Sequence, residues 1–269
     1  MAEFSAKDVQ ALRNATGAGM LDAKRALTAA DGDPAEAAKW LRERGLGKAA
    51  ERAGRESQEG AVAVAYDAGQ DAIALVQLRS DTDFGAKSPD FVNLVNELAA
   101  LVASEGEDAV DQRKAAIEDL NIAIKENVQL GEVVRFQAAP GNVVGSYLHV
   151  QNDRGVNGVI VELKGGSAEL AHDLAVHIAF GRPKYLRRED VPAEEVEAER
   201  TALETESRRE GKPEAALPKI VDGKLSGWFK RVPGGVLLEQ PYARDDKRTV
   251  AQVLGSAEVV RFAQVVIGG

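Results

Sequence analysis

The sequence predicts an α+β protein with a small N-terminal helical bundle, a duplicated core of antiparallel sheets and helices, and an inserted helical arm. Three observations favour this class. Start and stop signals for three short helices follow one another closely near the N-terminus. Two later stretches share the element order strand, strand, helix, helix, strand. A charge-dense helical pattern interrupts the second of these stretches. The length, 269 residues, fits two domains or one domain with additions.

Composition narrows the classes of function. The chain is 44% hydrophobic and 29% charged, which is ordinary for a folded protein with a core. The net charge of −9 argues against a protein that binds nucleic acid by neutralising its phosphates. The lack of cysteine excludes disulfides, thiolate zinc sites and cysteine nucleophiles. The sequence shows neither a leader pattern nor a membrane-length apolar stretch. We therefore expect a cytoplasmic protein that does not contact membranes and needs no cofactor.

The first domain, residues 1–47, is predicted to be a three-helix bundle. Ser5 and Asp8 form a capping pattern for the first helix, and Asp33 before Pro34 forms one for the third. The second helix carries apolar and small residues at helical spacing, namely Met20, Ala23 and Leu27. The predicted helix ends are residues 16–19, residues 31–32 and Gly45. Because so short a bundle has a thin core, we expect it to dock onto something larger.

The segment at 48–59 is charged and rich in alanine, which predicts a linking helix. The first core unit, residues 60–140, follows it and opens with a hairpin pattern. Its predicted elements are strands at 61–66 and 72–78, helices at 88–102 and 110–127, and a strand at 132–138.

The second core unit, residues 141–269, repeats this order. Its predicted elements are strands at 142–151 and 157–163, helices at 167–180 and 249–254, and a strand at 258–267. Both closing strands begin with the same five residues, Glu-Val-Val-Arg-Phe, at 132–136 and 258–262. Either a subdomain is duplicated, or a common β-forming word occurs twice by chance. The shared order of elements favours duplication.

The insertion at 192–230 is predicted to be a helical hairpin. Two helices, 192–210 and 214–229, are separated by only Gly211-Lys212-Pro213 and must therefore run antiparallel. The first of them has few apolar residues, among them Val196 and Leu203. We expect a mostly solvated arm that meets another protein or nothing.

No motif for bond chemistry is complete. Residues 83–85, Asp-Phe-Gly, match the metal-holding triplet of protein kinases, but the glycine-rich loop, strand lysine and catalytic loop that must precede it are missing. Residues 17–19, Gly-Ala-Gly, follow a helix and lack the rest of a phosphate loop. His172 and His177 point in different directions from one helix, and His149 stands alone. We therefore expect neither an enzyme nor a metal site.

One segment, residues 80–87 with the sequence Ser-Asp-Thr-Asp-Phe-Gly-Ala-Lys, remains unusual. It is predicted to be a loop between a strand and a helix, with Phe84 among polar residues and two acids near Lys87. Physical reasoning leaves two interpretations open. Phe84 is either a core residue that closes the corner before the helix or an exposed anchor for a partner.

Several motifs occur in a characteristic order and spacing. They are Thr16 to Met20, Ala26-Leu27, Asp31 to Asp33, Thr82-Asp83-Phe84 with Ala86-Lys87, Gly145 to His149, and Gly211-Lys212-Pro213. In these motifs the chain resembles the bacterial translation elongation factor Ts family. The resemblance extends from end to end, and the length is similar to that of actinobacterial members.

The resemblance implies a guanine nucleotide exchange factor for elongation factor Tu, the GTPase that carries aminoacyl-tRNA to the ribosome. It implies a ubiquitin-associated-like bundle that docks on the GTPase, and a turn that intrudes beside the nucleotide site and helps to dislodge Mg²⁺. The second core unit would meet the far domain of the GTPase. The arm resembles the family's coiled-coil hairpin and is a candidate dimer contact. The turn residues so implied are Thr82, Asp83, Phe84 and Gly85, and the other contacts are Met20, Leu21 and His149.

Two departures from the family pattern stand out. The family usually has Val after Thr-Asp-Phe, where this chain has Gly85, which is expected to loosen the turn and to remove an apolar contact. A typical Gly-Glu-Asn appears here as Lys125-Glu126-Asn127.

The expected mechanism is tighter binding to the nucleotide-free GTPase than to its GDP form, so that GDP in turn binds the complex more weakly. The alternative is a passive adaptor that docks on a GTPase without accelerating nucleotide release.

Overall fold

The computed structural model describes residues 4–16, 18–52 and 57–268. The helices in these ranges are α1 Ala6–Thr16, α2 Met20–Ala29, α3 Pro34–Arg52, α4 Asp83–Ala86, α5 Pro89–Glu105, α6 Lys114–Ile124, α7 Ala168–Gly181, α8 Ala193–Arg209, α9 Leu217–Phe229 and α10 Val250–Leu254. The strands are β1 Glu59–Tyr66, β2 Ala72–Ser80, β3 Gln129–Gln137, β4 Asn142–Gln151, β5 Arg154–Lys164, β6 Pro241–Tyr242, β7 Asp245–Thr249 and β8 Glu258–Val266.

Helices α1, α2 and α3 pack around a small core, which confirms three helices at the N-terminus. Ser5 and Asp8 cap α1 reciprocally, through Ser5 N–H to Asp8 Oδ2 at 2.7 Å and Asp8 N–H to Ser5 Oγ at 3.3 Å. Asp33 Oδ1 accepts from the N–H groups of Ala35 and Glu36 at the start of α3. The buried side chains of this core are Val9, Leu12, Ala23, Ala26, Leu27 and Ala37.

The predicted end of the third helix at Gly45 is wrong. Helix α3 continues through Gly45 to Arg52, so the predicted linking helix at 48–59 begins inside α3, while residues 53–56 lie outside the described ranges. Gly45 instead marks a close approach to α6, since a Cβ there would lie 2.8 Å from Ile122 Cγ1. Packing against α6 explains why a glycine that reads as a helix stop lies within a helix.

The core consists of two three-stranded antiparallel sheets that pack face to face. Their strand orders are β1-β2-β3 and β4-β5-β8. The layer between the sheets is apolar and includes Val62, Leu75, Phe136, Ile160 and Val265. Helices α5 and α6 cover the outer face of the first sheet, and α7 and α10 cover that of the second. The structure therefore has four layers, helix, sheet, sheet and helix.

The two sheets confirm the repeated order of elements. The sequence Glu-Val-Val-Arg-Phe, which both closing strands share, is nevertheless packed differently in β3 and in β8. In β3 residues 133–136 pair one for one with β2, after an irregularity opposite Gln77, and Phe136 points into the layer between the sheets. In β8 Arg261 pairs with Glu162 and Val259 with Leu163, which leaves an extra residue between them. This bulge turns Phe262 to the helix-covered face.

Helical segments of the first core unit differ in part from prediction. The single helix expected at 110–127 is a 3-10 segment, Glu107–Arg113, followed by α6, which ends at Ile124. Residues 80–87, expected as a loop, contain the one-turn helix α4. The helix predicted from Ser88 is α5, and Ser88 Oγ accepts from Phe91 N–H.

The inserted arm is the antiparallel pair α8 and α9, as predicted, with a 3-10 turn at Glu214–Ala216 before α9. Ion pairs join the two helices, including Arg200 to Asp222 at 2.7 Å and Lys224 to Glu206 at 2.8 Å. Val196 and Leu203 are partly buried against the apolar residues of α9 and the root of the arm. The arm is therefore held by a narrow apolar seam flanked by surface charges.

A buried histidine of α7, His177, is hydrogen-bonded to the segment that connects α9 of the arm to α10. His177 Nδ1 accepts from Ala243 N–H at 3.1 Å, so the proton of the neutral ring is on Nε2, which faces Gln240 Oε1 at 3.0 Å. Gln240 Nε2 in turn donates to Gly181 O at 2.9 Å. Burial lowers the pKa of His177, partly opposed by the Gln240 hydrogen bond. Both ring nitrogens are satisfied only in the neutral form.

We expect the stability of the protein to fall as pH drops below about 6.5, the ordinary pKa of histidine. In that range the unfolded chain binds a proton at His177 that the folded chain resists, so stability is lost on acidification. Urea melts from about pH 7.5 to about pH 5.5 would measure this. His177→Gln should show a shallower pH dependence, and equal slopes for the two proteins would contradict the role of this ring.

Candidate functional site

The candidate site is centred on the turn that joins β2 to α5. Thr82 caps α4, with its Oγ1 accepting from Gly85 N–H at 3.1 Å. Lys87 N–H donates to Asp83 O at 3.1 Å, and Ser88 N–H donates to Gly85 O at 3.0 Å. These hydrogen bonds make residues 82–88 an ordered turn that contains one turn of helix.

Phe84 stands at the outer side of this turn. Its side chain is 86% exposed, the largest exposed fraction among the large hydrophobic residues of the described ranges. The interpretation of Phe84 as a core residue closing the corner is therefore wrong. The corner is closed instead by Ala86 and Phe91, both fully buried in the first core unit. An aromatic ring held out on an ordered turn is typical of a binding anchor.

Asp83, beside Phe84, carries a localised negative charge. Lys87 pairs with the Asp83 carboxylate from one helical turn away. The hydrogen bond and the charge of the Lys87 ammonium hold the pKa of the Asp83 carboxyl below its ordinary value. The turn therefore presents an apolar ring next to a fixed ion pair.

Glu126 braces the turn from outside the motif, and the sequence analysis missed this role. Its carboxylate accepts from Ser80 Oγ at 2.6 Å, Thr82 Oγ1 at 2.6 Å and Thr82 N–H at 3.2 Å. In the sequence Glu126 stands out only as part of the altered Gly-Glu-Asn motif. No local signal could link positions 44 residues apart.

Gly85, which is expected to loosen the turn, lies in close contact with Glu126. It is buried, and a Cβ at this position would collide with the Glu126 carboxylate as placed. The glycine therefore lets the brace approach the turn closely.

Met20 and Leu21 lie at the start of α2, with exposed fractions of 51% and 62%. Next to them a groove of about 810 Å³ runs between the bundle and the first core unit. Its lining includes Gly19 and Asp22 on one side and Asp90 and Lys125 on the other. Met20 and Leu21 themselves are not among the residues that line the groove.

His149 is exposed near the end of β4, beside a bulge, and its Nδ1 lies 3.5 Å from Tyr147 Oη. This end of β4 is tied to the first core unit through Arg154, which pairs with Glu59 at 2.9 Å. Glu59 in turn pairs in the sheet with Ser80, immediately before the turn. The predicted contacts on the two core units therefore lie at the same end of the molecule.

Comparison with known proteins decides the family. The family model described as Elongation factor TS matches residues 81–269. The chain is 43% identical to the elongation factor Ts of Renibacterium salmoninarum over 100% of both chains. It is 43% identical to that of Streptomyces griseus and 42% identical to that of Clavibacter michiganensis, again over 100% of both chains.

The chain belongs to the elongation factor Ts family. This membership confirms the resemblance drawn from the motifs and makes the protein a translation elongation factor. The family model begins at the residue that precedes Thr82, so it covers the turn and both sheets' closing strands but not the bundle. In the described ranges no helix has the length and hydropathy to cross a membrane.

We expect Phe84→Ala to change the free energy of unfolding by less than about 0.5 kcal/mol, because the ring is already exposed to water. Phe91→Ala, seven positions along the chain, is the matched control. Its ring is fully buried, and its removal should cost about 3–5 kcal/mol. Urea melts of the two variants would measure the difference. A large decrease in the free energy of unfolding of Phe84→Ala would contradict the interpretation of Phe84 as an exposed anchor.

The residue before Glu126 adopts a costly backbone conformation. Lys125 has φ 60°, in the left-handed region, where it ends α6. Because glycine adopts this conformation without a steric penalty, Lys125→Gly should stabilise the protein by about 0.5–1 kcal/mol. Ala123→Gly, inside α6, should instead destabilise it by about 1 kcal/mol. Thermal melts of both variants would test this, and a destabilised Lys125→Gly would contradict it.

Proposed function

We propose that this protein is a guanine nucleotide exchange factor for elongation factor Tu. Family membership supports a role in translation elongation. The single observation that supports exchange is Phe84, an aromatic ring held out in water on a braced turn at one end of the molecule. A ring so exposed contributes little to the fold, and it gains its burial when a partner covers it.

The proposed mechanism is a difference in binding free energy. The factor binds the nucleotide-free GTPase more tightly than the GDP form, and by reciprocity GDP binds the complex more weakly. Release of GDP becomes faster while the equilibrium between GTPase and nucleotides is unchanged. No residue of the factor forms or breaks a bond in this scheme, so we propose that the protein is not an enzyme.

In this proposal the turn displaces Mg²⁺ from the GTPase, and other residues bind to the surface of the GTPase. Phe84 enters the partner beside the nucleotide site. The charge of Asp83, with Thr82 and Gly85 forming the turn around it, perturbs the groups that hold Mg²⁺. The remaining docking contacts are Met20, Leu21 and His149, which are exposed in the free protein. The location of Phe84 and His149 toward the same end of the two core units supports a single partner.

The bundle and the arm extend this proposal. We propose that α1, α2 and α3 form a ubiquitin-associated-like module that binds the GTPase. We propose that α8 and α9 form a coiled-coil arm, with an apolar seam between charged surfaces in support. The site of action is the cytoplasm, where translation occurs, and neither nucleic acid nor a membrane is a direct partner.

Release of a fluorescent GDP from elongation factor Tu tests the proposal. The unsubstituted protein should accelerate release, and Phe84→Ala should weaken the complex by about 2–4 kcal/mol, the range of a central aromatic anchor. Phe180→Ala is the matched control, since Phe180 is 64% exposed on the second core unit. This control should retain the maximal release rate at saturating concentration.

Two results would count against the proposal. Binding to elongation factor Tu without faster GDP release would favour the passive adaptor. Equal behaviour of Phe84→Ala and the unsubstituted protein would remove the turn from the mechanism.

We further propose that the arm is a contact between two copies of the chain. Its surface outside the seam carries acidic and basic side chains side by side, so that two copies could pair opposite charges, and the two helices form a separate hairpin. Sedimentation equilibrium should show a dimer for the whole chain and a monomer when residues 193–229 are replaced by a short Gly-Ser linker. A monomer in both cases would contradict this contact.

A further inference from the structure

Glu126 lies in a segment that is fixed on both sides. The left-handed Lys125 ends α6 and reverses the chain just before Glu126. Beyond it, Asn121 Nδ2 donates to Val128 O at 2.8 Å and Asn121 Oδ1 accepts from Val128 N–H at 2.8 Å. Asn127 is buried, and its carbonyl accepts from Ser57 Oγ at 3.1 Å. The backbone that carries Glu126 is therefore held by contacts to residues outside 82–88.

The carboxylate of Glu126 uses both of its oxygens on the segment leading into the turn. Oε2 accepts from Ser80 Oγ and Thr82 N–H, and Oε1 accepts from Thr82 Oγ1. Ser80 is fully buried, so Glu126 satisfies a hydroxyl that has no access to water. Hydrogen bonds to a charged acceptor are stronger than those to a neutral one.

Thr82 transmits this constraint to the tip of the turn. The same Oγ1 that donates to Glu126 accepts from Gly85 N–H, so the two bonds form a chain from Glu126 to the residue after Phe84. Phe84 is almost wholly exposed and packs on little of its own protein. Its direction therefore depends on the backbone of the turn, which is held by its internal hydrogen bonds together with those to Glu126.

We propose that Glu126 is a positioning residue that orders the turn before the partner arrives, so that Phe84 meets the GTPase in its bound direction. This inference rests on the proposed exchange function. A turn that is already ordered avoids the entropic cost of being fixed on binding. Without the brace, part of the binding free energy of Phe84 is used to order residues 82–87.

The first test compares GDP release by two variants at position 126. Glu126→Ala removes all three acceptor contacts and should slow release at subsaturating factor by about tenfold. Glu126→Gln retains one acceptor oxygen and should fall between this variant and the unsubstituted protein. Glu132→Gln, an exposed acid on β3, is the control for loss of one negative charge and should leave release unchanged.

The second test separates positioning from general destabilisation. In a Phe84→Ala background, Glu126→Ala should cause a smaller additional loss of release than in the unsubstituted protein, since the turn no longer carries a ring to be positioned. Hydrogen exchange of the free Glu126→Ala protein should be faster at residues 81–88 and unchanged in β2 and α5. If Glu126→Ala does not fold, Glu126→Gln replaces it in the release and hydrogen-exchange experiments. Its rate of GDP release should then be lower than that of the unsubstituted protein by about threefold.

The outcomes distinguish the two proposals. An active unsubstituted protein with Glu126→Ala equally active overturns the positioning role alone. The positioning role is also overturned if the free-energy losses of Glu126→Ala and Phe84→Ala, derived from GDP release, are fully additive in the double variant, because the two residues then act independently. Failure of the unsubstituted protein to accelerate GDP release overturns the exchange function, and the positioning role with it.

Discussion

The face-to-face packing of the two sheets is the constraint on which the rest of the structure depends. The layer between them is wholly apolar at its centre, where Val62 of β1 lies against Gly158 of β5. At its edge Glu162, almost fully buried, accepts from Arg261 Nε at 2.8 Å and from Ala139 N–H at 3.1 Å. Arg261 also stacks on Phe136, 4.4 Å from the ring centroid. These contacts fix the two core units as one body.

The packing of the two core units also determines the relative placement of the surface residues available to a partner. The Arg154 ion pair to Glu59 and its hydrogen bond to Gly60 O hold the start of β5 against β1, beside the end of β2. The Phe84 turn and the His149 end of β4 therefore lie on one packed unit. The proposed exchange function would need such a rigid surface, because a compliant surface would follow the partner instead of deforming it.

Local rules account for most of the elements. Caps at Ser5, Ser88 and Ser167 begin helices in the predicted places, because a side-chain oxygen that satisfies a helix N-terminus is a signal contained in a few residues. Local rules fail where a distant contact decides. Gly45 looks like a helix end, but it lies within α3 because α6 packs against it. Phe84 stays ambiguous until its exposure is seen.

The sequence by itself determined the class of fold, the repeated units, the arm and the family, because periodicity, caps and motifs are short-range properties of the chain. Only the tertiary structure decided how the units use their residues. The identical words in β3 and β8 direct Phe136 and Phe262 to opposite faces, since a bulge shifts the alternation of one strand. The brace from Glu126 to Thr82 likewise joins residues that are neighbours only after folding. Both outcomes depend on pairings between distant segments, which no local pattern encodes.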